Sequence, residues 1–276
     1  MSKEFEAWVG KQETAQDVVS PSAINRFCAT LGAKQTGAAV PYGFHWCLCL
    51  PAAPQEELGA DGHPAKGNFL PPIPAPRRMW ASSAVKLLNP IVAGTTIERR
   101  QTIAGVSQKK GKTGSLFFVD VEQTTVCEGV EAISERQTLV YRDASTQMVP
   151  LPKKADVDLS SWQHTQSLVP NESLLLRYSA LTFNAHRIHY DLPYARDVEG
   201  YPSLIVHGPL MATLLLQFAD RLSTGKSISE FSFRGKKPAF CNLALALVAK
   251  PSEQGLSLAV VDIAGDEVMS ATAQLG

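Results

Sequence analysis

The sequence has no surplus of either charge: 26 Lys and Arg stand against 26 Asp and Glu. That balance supplies no overall field toward nucleic acid or a membrane surface. No apolar run is long enough to span a bilayer. The opening residues, Met1-Ser-Lys-Glu-Phe-Glu6, are charged in both signs and lack the apolar segment of a secretory signal. Cysteine is scarce; the five (Cys28, Cys47, Cys49, Cys127 and Cys241) are odd in number and form no CxxC pair. The expectation is reduced thiols in a cytoplasmic protein, with Cys47 and Cys49 as buried small side chains rather than ligands. GxSxG, a Walker loop and GxGxxG are all missing, so serine-hydrolase, NTPase and dinucleotide readings have no support. Only 19% of the 276 residues are charged and 45% are hydrophobic, which allows a substantial core and excludes disorder.

What is present is ordered along the chain. Ser20 can cap a helix with Pro21 in its first turn, Ile24, Phe27, Cys28 and Leu31 on one face, and Gly32 at its end. Residues 40–50 are an apolar run compatible with a short buried helix or a strand. Residues 51–76, rich in Pro and Gly, read as a long surface loop. Strands are predicted at 95–106, 115–126 and 133–141, with residues 109–114 as a hairpin loop, and residues 143–170 as a linker.

The second half repeats that order. Asn171 can cap a helix carrying Leu174, Leu175, Tyr178 and Leu181. Residues 209–219 are apolar on nearly every side, which marks a helix buried all round. Four strands follow at 228–234, 243–249, 256–263 and 268–273. A helix, a buried apolar segment and a meander of strands, made twice, predict an α+β fold in which antiparallel sheet curls around an apolar helix in each half.

The chemistry concentrates in Tyr178-Ser-Ala-Leu-Thr-Phe-Asn184-Ala-His186-Arg-Ile-His189-Tyr-Asp191, followed by Val206-His207-Gly208-Pro209. An amide, two imidazoles and a carboxylate fall within eight positions. A glycine then stands at an expected helix start, where free backbone N–H groups can hold a developing negative oxygen.

These residues resemble the MaoC-like, or R-specific, enoyl-CoA hydratases and dehydratases of the hotdog fold. In that motif Asn184 takes the place of an Asp, His186 of an Asn and Arg187 of a Pro, while Ile188, His189 and Ala195 match it. The form is similar to a narrower double-hotdog branch, the 3-hydroxyacyl-thioester dehydratases and the bacterial mesaconyl-CoA and itaconyl-CoA hydratases. Residues 70–80, 99–103, 111–119 and 199–209 extend the likeness over nearly the whole chain. The resemblance implies two fused hotdog domains, at 1–145 and 146–276, the first without catalytic residues and forming a wall of the acyl-CoA pocket. It implies reversible hydration of an enoyl-CoA, mesaconyl-CoA or itaconyl-CoA to citramalyl-CoA foremost. The alternatives are a 3-hydroxyacyl-thioester dehydratase of fatty-acid metabolism, a silent acyl-thioester binding protein and a thioesterase.

In this chemistry His189 is the candidate acid–base, because an imidazole works near neutral pH. Asn184 can position the water but cannot carry its proton. Gly208 offers its N–H to the thioester oxygen. His186 and Pro209 are expected at the substrate pocket, His207 is expected to line that pocket or to position the turn, and Asp191 to hold a neighbouring group. Arg77 or Arg78 is expected to meet a second, free carboxylate of the substrate. Lys109-Lys110-Lys112 and Arg234-Lys236-Lys237 are candidate coenzyme A contacts. His186, His189 and Asp191 could in principle share a metal, but Arg187 sets a positive charge among them, and no metal or other cofactor is expected. The partner is thus a small acyl-CoA, with pairing of two chains left open.

Overall fold

The computed structural model describes residues 3–35, 37–111, 114–144 and 147–276. Lys112 and the 145/146 boundary between the expected domains fall outside the described residues. The strands are β1 (Gln12–Val18), β2 (Arg77–Leu87), β3 (Thr96–Gly111), β4 (Gly114–Cys127), β5 (Val130–Arg142), β6 (His164–Leu168), β7 (Ile228–Gly235), β8 (Leu245–Ser252), β9 (Gly255–Val261) and β10 (Glu267–Leu275). They form one sheet in the order β1-β3-β4-β5-β2-β7-β10-β9-β8-β6.

That order contains a repeat. Read inward from either edge, the strands of each half run first, third, fourth, fifth, second, and the halves meet where β2 pairs with β7 antiparallel. This is the double-hotdog arrangement. The hairpins that build it are local: β4 and β5 turn on Glu128 (φ 50°) and Gly129 (φ 81°). Two successive positive φ values give the turn whose twist matches the strands, and the glycine meets that demand without strain.

Helices α1 (Pro21–Leu31), α2 (Glu172–Thr182), α3 (Leu192–Asp197) and α4 (Gly208–Leu222) complete the fold. The caps read from sequence are in place. Ser20 Oγ accepts from Ala23 N, Gly32 is left-handed (φ 67°), and Asn171 Oδ1 accepts from Leu174 N. α4 lies in the curve of the second half's strands, with Leu210, Ala212, Leu215, Leu216 and Ala219 fully buried. Truncating one of these leucines leaves a cavity that costs about 2–5 kcal/mol.

The first half has no counterpart of α4 among the described residues. Its apolar run folds instead as one buried 3-10 turn, Phe44–Cys47, and Phe44 packs edge-on against Phe27 of α1. The large hydrophobic core runs through both halves, from Phe27 and Phe44 to Leu215 and Leu258.

Three strands differ from expectation. β2 (Arg77–Leu87) precedes the first strand predicted, and β1 and β6 lie in segments assigned no strand. β1 (Gln-Glu-Thr-Ala-Gln-Asp-Val) and β6 (His-Thr-Gln-Ser-Leu) are the outer edges of the sheet, largely exposed. An exposed polar edge carries little apolar alternation and resists pairing with other chains.

Candidate active site

The motif occupies the turn that follows α2. Helix α2 ends on Phe183 in the left-handed conformation (φ 48°), and Asn184 N donates to Ser179 O at 2.9 Å. This reversal is non-glycine and so costs energy. It sets Asn184 where its Oδ1 accepts the N–H of His186 at 3.0 Å. The donor is a backbone N–H, so its partner must be the amide oxygen, and the two amide N–H bonds of Asn184 stay available. Asp191 caps α3 by accepting from Tyr194 N (3.1 Å) and pairs with Arg187 at 2.7 Å. Its place is in the scaffold.

His189 is buried and its Nδ1 lies 2.7 Å from Ile205 O. A carbonyl can only accept, so Nδ1 carries the proton and Nε2 keeps its lone pair. Burial lowers the ring's pKa to about 4, against a smaller raising effect of that hydrogen bond. The imidazole is therefore neutral at physiological pH and competent as a base. Its face stacks on His207, with centroids 3.6 Å apart and planes 18° apart. His207 is fully buried and its Nε2 lies 2.8 Å from Ser179 Oγ. It stands behind His189 and not on the cavity wall, which corrects the pocket-lining expectation and leaves it the positioning role.

The wall itself encloses about 980 Å³ between the two halves, lined by Arg78 and Trp80 from β2 and by Asn184, His186, His189 and Gly208 from the second half. Pro209 also lines it. Gly208 is the first residue of α4, so its N–H is one of the donors a helix cannot pair internally. The helix dipole adds to the attraction of that N–H for negative charge. A Cβ at Gly208 would meet only Trp80 O at 3.6 Å, an ordinary contact. The arrangement therefore combines a neutral imidazole that can take a proton from water with a backbone donor for an oxygen gaining charge.

The adjacent arginines part company because successive side chains of a strand point to opposite faces. Arg78 faces the cavity and enters no ion pair with a described carboxylate. Arg77 points away, buried. Its Nε lies 2.7 Å from Glu199 Oε2, its Nη2 donates to Glu199 O, and its guanidinium lies over Tyr201. The expectation that Arg77 meets substrate is corrected here, since its charge is already matched and its side chain anchors the segment leading to His207. Arg77→Met should lower stability by about 3–5 kcal/mol, the range for leaving a buried charge without its partner. Urea denaturation measures it, and a change below 1 kcal/mol would contradict the placement.

Sequence reasoning missed two residues of the site, Asp61 and His63, which arrive from the long loop. That loop is docked on the motif. Arg187 N donates to Asp61 O (2.9 Å), Arg187 Nη1 donates to Ala60 O (3.0 Å), and Gly62 (φ 86°) passes so close to Ala185 that no Cβ fits. His63 lines the cavity, bonds Asp61 through Nδ1 at 2.9 Å, and its ring lies 4.1 Å from that of His186. His186 in turn meets His189 edge-on at 5.4 Å. Burial, then the charges of His63 and His189, lower His186 to about 2.

Asp61, His63 and His186 each bring one possible ligand atom within 4.8 Å of the others. They do not suit a metal ion. Asp61 and His63 already hold each other, and the Arg78 cation acts on both imidazoles.

Arg234, Lys236 and Lys237 line the same cavity, with Lys236 paired to Glu267 and Lys237 to Asp266. Among the described residues no helix is long and apolar enough to cross a membrane.

The strand order and this cavity define a protein of the double-hotdog class. A MaoC-like dehydratase from Phytophthora capsici superposes with a TM-score of 0.73 at 12% identity, covering 100% of this chain and 99% of that one. A Mycobacterium tuberculosis protein described as a double hotdog fold gives 0.62 at 12% identity, over 97% and 96%. Within that class the chain belongs to the hydroxyacyl-thioester dehydratase type 2 family, whose model matches residues 43–241. The mesaconyl-C(4)-CoA hydratase of Chloroflexus aurantiacus is 40% identical over 281 residues, covering 100% of this chain and 99% of that protein.

Proposed function

We propose that this chain is a hydro-lyase that reversibly hydrates an α,β-unsaturated acyl-CoA, with mesaconyl-CoA as substrate and citramalyl-CoA as product. One observation carries the reading: His189, with Nδ1 fixed and Nε2 unprotonated, and the Gly208 N–H line one cavity. The full-length likeness to a protein named mesaconyl-C(4)-CoA hydratase supports the substrate class.

His189 takes a proton from water as its oxygen adds to the β-carbon, Asn184 orients that water through its amide, and the thioester oxygen accepts the Gly208 N–H. His186 and Pro209 border the acyl group, while His207 holds the His189 ring through their stacked faces. Arg78 meets the second carboxylate of the substrate, and Arg234, Lys236 and Lys237 face the coenzyme A phosphates. Residues 146–276 carry Asn184, His189 and Gly208, and residues 1–145 supply the facing part of the cavity wall. The thioester itself activates the double bond, so no resident metal or cofactor is required. The setting is the cytoplasm.

Purified protein incubated with a panel of enoyl-CoA esters should abolish the conjugated absorbance of at least one of them. A preference for long monocarboxylic 3-hydroxyacyl thioesters would favour the second reading, a fatty-acid dehydratase, to which the family's description points. Arg78→Met should raise KM for mesaconyl-CoA at least roughly tenfold, the scale of one lost charge-assisted pair. The KM for crotonyl-CoA should stay unchanged. Equal losses on both esters would remove Arg78 from carboxylate recognition.

A further inference from the structure

We propose that Asp61 and His63 form a second acid–base group of the reaction, lent by the first half of the chain to the site in the second. The inference deepens the hydratase reading and rests on it.

Hydration moves two protons, one off water and one onto the α-carbon. The position that carries a carboxylate in the resembled motif is Asn184, whose amide cannot hold a proton and whose Oδ1 is tied to His186 N. A replacement stands on the cavity wall. His63 gives Nδ1 to Asp61 Oδ2 at 2.9 Å, so Nε2 is its exchangeable nitrogen. Asp61 is itself fixed, its Oδ1 accepting from His63 N (3.1 Å) and its carbonyl from Arg187 N (2.9 Å). A carboxylate–imidazole pair held in this way orients the ring and offsets part of what burial takes from its protonated form.

His63, His186 and His189 form a continuous file of rings, at 4.1 Å and 5.4 Å. Like charges in so small a space oppose one another, so the file accommodates one proton more readily than two. Among the described residues, His63 is the one of the three imidazoles with a carboxylate hydrogen-bonded to it.

The step balances. Nε2 of His189 takes a proton from water as the C–O bond forms at the β-carbon. The π pair moves onto the α-carbon and thioester oxygen, and protonated His63 delivers its proton to the α-carbon. His189 is left protonated and His63 neutral, and His186 between them returns the proton. One water is consumed, and no proton is gained or lost overall.

The groups that face His63 set its titration. Burial is the largest effect and holds the ring below its ordinary value, Asp61 raises it without overcoming burial, and Arg78 from β2 lowers it further. His186 lies against its ring, while Lys66, Tyr141, Tyr194 and Glu199 act through Asp61.

The test compares wild type, His63→Gln and Asp61→Asn on mesaconyl-CoA and on crotonyl-CoA across pH. His63→Gln should cut kcat roughly 100-fold or more on both esters with KM little changed, the scale of a lost general acid. Asp61→Asn should cut it less and move the alkaline limb of kcat/KM to lower pH, because the acid loses the carboxylate that holds its proton. A His63→Gln enzyme within a few-fold of wild type, or one whose only defect is a raised KM for the dicarboxylic ester, would overturn the proposal. If His63→Gln fails to fold, the wild-type profile decides, since an acid group requires an alkaline limb and a profile without one contradicts it. Wild type inactive on every enoyl-CoA would instead defeat the hydratase reading itself.

Discussion

His189→Ala is expected to slow hydration roughly 100- to 10,000-fold, the range for removing a general acid–base. Substrate affinity should change little, because the Gly208 N–H and the rest of the cavity wall remain. The wild-type rate should hold down to mildly acidic pH and then fall as Nε2 takes up a proton near pH 4, the value to which burial lowers this ring. The sign follows from the role: a base is active when unprotonated, so activity is lost as pH falls through that value. Steady-state kinetics on a single enoyl-CoA, paired with equilibrium binding of the same ester, separates the two quantities. An unchanged turnover would assign the proton transfer elsewhere. A silent binding protein would show the opposite pattern, affinity without any turnover in wild type.

Gly62→Ala is expected to have the largest structural effect of any single methyl added near the site. Its φ of 86° is costly for any residue with a side chain, and a Cβ there would lie 1.9 Å from Ala185 O and 2.9 Å from Ala185 C. The conformation alone costs about 1–3 kcal/mol. The overlap is with backbone, so the loop must lift and break the Arg187 N to Asp61 O bond. Gly67→Ala is the comparison, with a φ of 104° but nothing nearer than Pro72 Cβ at 3.8 Å. Both variants carry the backbone penalty, and only Gly62→Ala should also lose turnover and expose residues 57–65 to protease. Equal behaviour of the two in melting temperature, proteolysis and kcat would contradict the docking of this loop on the motif.

Much of the fold is legible in the chain because its signals are local. The Ser20 and Asn171 caps, the all-round apolar face of 209–219 and the β-branched strands around 115–141 each depend on neighbours a few residues away. What the sequence hides depends on distance or direction. β1 and β6 are polar because they are sheet edges, and nothing in their composition separates them from loop. Arg77 and Arg78 look equivalent until a strand points one at Glu199 and the other at the cavity. The motif around His189 announces its chemistry, whereas Asp61 and His63 reach it from a Pro- and Gly-rich stretch that reads as surface. The nearest available signal was Gly62 between them, a residue that lets backbone approach backbone. The short 3-10 turn at Phe44–Cys47 shows the same limit: an apolar run specifies burial before it specifies a helix.

The most direct test runs the purified protein with mesaconyl-CoA in 18O-labelled water and analyses the products by mass spectrometry. One 18O atom in the acyl chain of an intact hydroxyacyl-CoA, with loss of the conjugated absorbance, is the expected result. Persistence of the unsaturated thioesters across the whole enoyl-CoA panel, or label appearing in a released carboxylate alongside free coenzyme A thiol, would contradict water addition in this cavity.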